Sequence, residues 1–112
     1  MEYHRTGDTL KVRLLRDFNL LTARRMEPLA REVQRVEIDL THSKLVDSEA
    51  ITLLYRLITA GKQVQIFNPP PLFFEVIRIL ELEDFFKLDQ LVNPPRLQDP
   101  SQDLRTPPTP TD

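Results

Sequence analysis

Cysteine and tryptophan are absent from the 112-residue sequence, and glycine occurs only twice, as Gly7 and Gly61. Without cysteine there is no disulfide, no thiolate nucleophile and none of the usual structural zinc sites, which is compatible with a reducing compartment. Two isolated glycines exclude a glycine-rich phosphate cradle. Long apolar runs are missing too: nothing approaches the roughly 20 residues needed to cross a bilayer. The opening residues, with Glu2, Arg5, Asp8 and Lys11, lack the apolar region of a signal peptide. A cytoplasmic location without membrane insertion is therefore the expectation. Neither sign of charge is in large excess. The formal net charge of -2 argues against a general nucleic-acid binder, whose phosphate affinity depends on clustered lysine and arginine. What remains is one small soluble globular domain with room for one core.

The charge that is present is unevenly placed. Arg5, Lys11, Arg13, Arg16, Arg24, Arg25, Arg31 and Arg35 make the first third basic, whereas Glu75, Glu81, Glu83 and Asp84 make a later segment acidic. Such runs are most often solvated faces; the alternative is a complementary partner or dimer surface.

Proline crowds the end of the chain. From Asn93 onward the sequence reads "NPPRLQDPSQDLRTPPTPTD", with almost nothing to bury, so residues 93–112 are expected to form a disordered Pro-rich tail and residues 1–92 the folded domain. The "TPPTP" within it suits a proline-rich ligand or a phosphorylation site, although a plain extended tail is the commoner case.

Within residues 1–92 two periodicities alternate. "TLKVRLL" sets Leu10, Val12 and Leu14 against Lys11 and Arg13; "RVEIDLT" sets Val36, Ile38 and Leu40 against Glu37 and Asp39; "KQVQIFN" sets Val64 and Ile66 against Gln63 and Gln65. Period two predicts strands, and a further strand is expected near residues 2–5. Strands buried on both faces would read as continuous apolar runs, so helices should cover chiefly one face, with Lys11 and Arg13 opposing Glu37 and Asp39 on the other. Helical spacing marks "TARRMEPLAREVQ", "KLVDSEAITLLYRL" and "PPLFFEVIRILELEDFF", the last with Phe73, Val76, Ile77 and Leu80 on one side. Pro28 interrupts the first of these; the expectation is that Thr22 caps an irregular turn and the regular helix starts near Pro28. The order gives an α/β fold: a small mixed sheet of about four strands, right-handed crossovers and helices packed mainly on one face.

Chemistry-bearing residues are few. His4 and His42 stand alone, and Ser48 has no base fixed near it in sequence. Asp39, Asp47 and Glu49 are the one acidic group that could approach a magnesium or general-acid site, but solvated caps and strand ends are far commoner. No catalytic residue, metal ligand or cofactor is expected. The notable feature is "KLVDSEAITLLYRL", residues 44–57, where a polar loop meets a strongly apolar helix. Either Asp47 or Ser48 can cap that helix. A phosphate on Ser48 would also suit a helix start, and would add about -1.5 to -2 charges beside Asp47 and Glu49, enough to repel a partner.

"VEIDLTHSKLVDSEAITLLYRL" followed by "GKQVQIFNPPPLFFEVIRILELEDFFKL" resembles the STAS family of bacterial anti-sigma factor antagonists and related modules. The matching features are the strand end Asp39 and Leu40, the helix start Asp47 and Ser48, Gly61 before the next strand, and Leu82 to Phe86 at the end. The resemblance implies a small mixed sheet with helices mostly to one side, and a non-enzymatic module in transcription regulation that binds a kinase-like anti-sigma factor. It further implies that Ser48 matches the serine such a kinase phosphorylates and Asp47 its acidic neighbour. Related members imply a second role, a constitutive scaffold on the ATPase of lipid-transporting ABC systems. The chain departs from the family in carrying Glu49 and Ala50, the latter a side chain where a partner normally approaches closely. In "RDFNLLTA", Thr22 and Ala23 fit the family's other loop, while Arg16 and Asn19 replace a glycine and an aspartate. Both loops leave carboxyl ends of strands, so Asn19, Leu20, Leu21 and Thr22 are expected beside Asp47, Ser48 and Glu49 as a partner-binding surface.

Overall fold

The computed structural model describes residues 1–93; the expected tail over residues 93–112 lies outside them except for Asn93. Five strands form one sheet in the order β1 (Glu2–Thr6), β2 (Thr9–Arg13), β3 (Arg35–Asp39), β4 (Gln63–Phe67) and β5 (Val92–Asn93). β1 pairs antiparallel with β2, and every later pair is parallel. The β1–β2 turn places Gly7 at φ +60°, the first central position of a two-residue hairpin loop, where glycine is favoured. β5 has two residues, too few for alternation to reveal, and it takes in Asn93, where the expected tail begins.

The parallel strands are joined by α1 (Leu20–Arg31), α2 (Ser48–Thr59) and α3 (Pro71–Ile79) followed by the short α4 (Leu88–Leu91). α2 lies between α1 and α3. Right-handed crossovers between successive neighbouring strands put these helices on one face. Leu10, Val12, Val36, Ile38, Val64 and Ile66 point into that layer, where they meet Met26 and Ala30 of α1, Ile51 and Leu54 of α2, and Phe73 and Ile77 of α3.

The opposite face carries the polar half of each alternation. Lys11, Glu37 and Gln65 are level with one another, as are Arg13, Asp39 and Phe67. Arg13 Nε lies 3.3 Å from Asp39 Oδ2, as the opposed charges imply, but Glu37 pairs with Arg35 of its own strand at 2.9 Å rather than with Lys11. The arginine two residues away on the same face reaches further and forks more favourably than the lysine across the ladder.

Two helix readings are corrected. α1 is continuous from Leu20 through Pro28. Its cap is Asn19, not Thr22, and Asn19 and Thr22 form a reciprocal capping box. Pro28 is tolerated because it sits on the exposed side, where water can serve the Arg24 carbonyl that loses its donor, while Met26 and Ala30 keep both flanking turns packed against the core. The apolar run over residues 70–86 is not one helix: α3 ends at Ile79, and Leu80 is its exposed C-cap. Glu81 adopts φ +59°; its N–H donates to the Arg78 carbonyl, and that of Leu82 to the Ile77 carbonyl, both at 3.0 Å. This is the Schellman ending. α2 ends the same way with Gly61 at φ +86°, so one turn uses the residue without a Cβ and the other holds a glutamate in the left-handed region.

Two substitutions test this frame in denaturant unfolding. Leu54, fully buried in α2, should cost about 2–5 kcal/mol as Leu54→Ala through the cavity it leaves. Glu81→Gly should raise stability by about 0.5–1 kcal/mol by removing the left-handed strain. Wild-type stability for the first, or destabilisation by the second, would refute the corresponding placement.

Candidate functional site

β2 and β3 are parallel neighbours, so the chain leaves both at the same end of the sheet, and their loops run side by side into α1 and α2. A parallel bridge joins Phe18 to Val46: Phe18 N–H donates to the Leu45 carbonyl at 3.0 Å and Asp47 N–H to the Phe18 carbonyl at 3.1 Å. Phe18 and Val46 point inward, and both are buried.

Three short side chains complete the seam. Asp17 Oδ1 accepts from the backbone N–H groups of Lys44 and Leu45, each at 2.9 Å. Ser43, the buried polar residue of the core among the described residues, donates its hydroxyl to the Arg16 carbonyl at 2.6 Å. Asp47 serves both helices: Oδ1 accepts from Ala50 N–H of α2 at 2.9 Å, and Oδ2 from Leu20 N–H of α1 at 3.0 Å. Helix starts carry positive partial charge, so one carboxylate between two of them stabilises both.

Asp47 is thus the cap of α2, and Ser48 is its first helical residue. Ser48 is exposed, and its hydroxyl makes no hydrogen bond among the described residues. Glu49 beside it is exposed as well, whereas Ala50 is fully buried. The added methyl of Ala50 therefore points into the core and not at an approaching partner, contrary to expectation. Asn19, Leu20, Leu21 and Thr22 do fall beside Asp47, brought there by the Leu20–Asp47 bond. Asn19 and Thr22 are half-buried and engaged with each other, which leaves Leu21, 68% exposed, as the accessible member of that group. Leu45 and Leu15, at 59% and 48% exposure, are displayed by the same two loops and were not picked out from the sequence. Their only signal was an apolar residue beside another apolar residue where one of the pair must face out.

Asp39, at the end of β3, belongs to a separate network. Thr41 donates to Oδ1 from its hydroxyl at 2.6 Å and its N–H at 2.9 Å, with Asn68 Nδ2 at 3.4 Å. Burial works to raise the Asp39 carboxyl, but the bonds from Thr41, Asn68 and Arg13 outweigh it and hold its pKa below the ordinary 3.8. For Asp17 the N–H groups of Leu45 and Lys44 lower the carboxyl, against a smaller opposing effect of burial. Among the described residues no group of three or more acidic or histidine side chains is placed to hold a metal ion, and no helix is long and apolar enough to cross a membrane.

Compared with solved structures, the chain is similar to the anti-sigma factor antagonist SpoIIAA in its unphosphorylated form, with a TM-score of 0.54, 13% sequence identity, and coverage of 70% of this chain and 81% of that one. No protein-family profile and no curated protein matches. The likeness is one of fold: the chain has a STAS-like α/β architecture, as its sequence resemblance implied.

Separating the cap from its neighbour gives one test. Asp47→Ala should cost about 2 kcal/mol in denaturant unfolding, while Ser48→Ala should stay within about 0.5 kcal/mol of wild type as an exposed, unbonded hydroxyl. Equal losses would contradict the bonding described. The seam gives another. Folding lowers the Asp17 pKa, so its contribution is complete above the unfolded-state value of 3.8 and is lost as the pH falls through the lower folded-state value. Asp17→Asn keeps an acceptor oxygen but cannot titrate, so stability measured by urea unfolding should fall less steeply with acid below pH 3.8 than in wild type. An acid limb identical to wild type would remove Asp17 from the seam.

Proposed function

We propose that the chain is a non-enzymatic, regulatory protein-binding module whose partner docks over the paired starts of α1 and α2, with phosphorylation of Ser48 as the switch. The observation that carries this reading is the exposed Ser48 hydroxyl in the first turn of α2, without a hydrogen bond among the described residues, on a hydrogen-bonded seam that also displays Leu15, Leu21 and Leu45. Asp47 does the capping, so Ser48 is dispensable to the helix and available for chemistry. The backbone N–H groups of Ser48 and Glu49 have no acceptor among the described residues, so a phosphate at that helix start has donors at hand. Its charge, set beside Asp47 and Glu49, would repel a partner that had accepted the neutral hydroxyl.

The fold likeness to an anti-sigma factor antagonist supports a kinase-like anti-sigma factor as the partner, and with it a place in transcription regulation in the cytoplasm. One observation favours a second reading, a constitutive scaffold on the ATPase of an ABC-type lipid transport system. Glu49 already presents a negative charge next to Ser48, so a partner docking there would have to accept an acid with or without a switch.

Affinity capture from native lysate with wild-type, Ser48→Ala and Ser48→Asp baits, read by mass spectrometry, distinguishes the two. A kinase-fold protein retained by wild type and Ala but lost with Asp is the expected result. A transport ATPase held equally by all three baits would replace the switch with the scaffold.

A further inference from the structure

α1 and α3 occupy opposite flanks of the helical layer, with α2 between them; the exposed side of α1 is basic, whereas α3 together with the turn that follows it carries four exposed acids against one arginine. On α1 the exposed residues Leu21, Arg24, Arg25, Pro28 and Arg31 recur at helical spacing along one stripe. The acids near that stripe are already used: Glu27 pairs with Arg56 at 3.4 Å and Glu32 with Arg5 at 3.3 Å. Arg24, Arg25 and Arg31 make no side-chain ion pair or hydrogen bond among the described residues. On the other flank Glu75 and Ile79 of α3 are exposed, followed by exposed Glu81, Glu83 and Asp84. None of these four acids is in an ion pair among the described residues, and Arg78 is the one cation among them.

Both helices start beyond the carboxyl ends of the strands and run back along the sheet, so their residues can be compared level by level. At a rise of 1.5 Å per residue, Arg24 lies about 6 Å below Leu20, and Glu75 about 6 Å below Pro71. Pro28 and Ile79 both fall at about 12 Å, and Arg31 at about 16 Å meets the level of the acidic turn after Ile79. Placed side by side without inversion and with the two helix starts aligned, the α1 flank of one copy faces the α3 flank of another with arginines level with Glu75, an exposed proline level with an isoleucine that is 71% exposed, and Arg31 level with Glu81, Glu83 and Asp84.

We infer that the chain associates with itself head to tail through these flanks, the arginine stripe of α1 on one copy seating against the acidic α3 flank of the next. The two surfaces differ, so the contact is heterologous and leaves a free flank at each end of the assembly. Its strength depends on exposed charge, so it weakens with salt. Nothing in it requires Ser48 or any other protein.

Sedimentation velocity of the full chain over a concentration series tests this at about 0.02 M and about 0.5 M salt, where the screening lengths differ severalfold. The expected result is a mean mass that rises with concentration at low salt and stays monomeric at high salt. Arg24→Glu with Arg25→Glu, and separately Glu75→Lys at the level of those arginines, should each weaken association at least about tenfold, with unchanged circular dichroism. An equimolar mixture of the two charge-reversed chains should associate again, because each restores the other's complement. Arg24→Gln with Arg25→Gln, which removes charge without reversing it, should also weaken association. A wild type that is monomeric at all concentrations in low salt, or association untouched by either reversal, would overturn the proposal. So would binding of monomeric wild type, but not the arginine variant, to phosphatidylserine vesicles, which would assign the stripe to a membrane surface.

Discussion

The arrangement at the functional end of the molecule depends on the Asp47 carboxylate. Parallel strands force their outgoing loops to the same edge, and the helices that follow therefore present their positive ends together. Two such ends side by side would otherwise compete for water as their acceptor. Asp47 gives one oxygen to each, 2.9 Å from Ala50 N–H and 3.0 Å from Leu20 N–H, so the spacing between α1 and α2 is set by the width of a carboxylate. Asp17 and Ser43 tie the loops in reciprocal directions, one accepting from the β3–α2 loop and the other donating to the β2–α1 loop. With Phe18 and Val46 buried beneath, the loops form a laced seam.

The rest of the fold supports that seam from one side. Helices cover one face of the sheet and supply the core, while the other face satisfies its charges by short-range pairing, Arg13 with Asp39 and Arg35 with Glu37. Such partly exposed pairs add little stability. Their effect is to keep the open face polar, which fixes the register of the strands: a slip by one residue would put Leu10, Val12 and Ile38 in water. Register in turn determines where β2 and β3 release the chain.

Much of this was legible in the sequence because it rests on periodicity. The alternation around Val12, Ile38 and Ile66 revealed strands and a one-sided sheet, and the density of apolar residues from Ala50 to Ile58 revealed the central helix. Asp47 and Ser48 stood out together, although which of them caps the helix depends on side-chain geometry. What stayed hidden is non-periodic. Asp17 and Ser43 act on loop backbone some 27 residues away in the chain, and no spacing rule connects a lone acid to a distant N–H. The Asn19 cap was missed because its reciprocal partner is Thr22, not the glutamate or glutamine that marks the usual capping box. Glu81 concealed the end of α3 because glycine, the usual marker of that turn, is absent there. Pro28 misled in the other direction, since a proline on the solvent side of an otherwise packed helix is tolerated.

The side-chain bonds that complete the seam share a property that bears on how such a surface can diversify. In each case a side chain of the frame, Asp17, Ser43 or Asp47, engages main-chain N–H or C=O groups of Lys44, Leu45, Arg16, Leu20 or Ala50. The main chain is the same whatever side chain it carries. Substitution at Lys44, Leu45 or Leu20 can therefore leave every one of these bonds in place. Inheritance of the architecture and choice of recognition chemistry are thus written in separate residues. Descendants of this chain can exchange the displayed side chains one at a time, testing new binding preferences on a scaffold that does not have to be rediscovered.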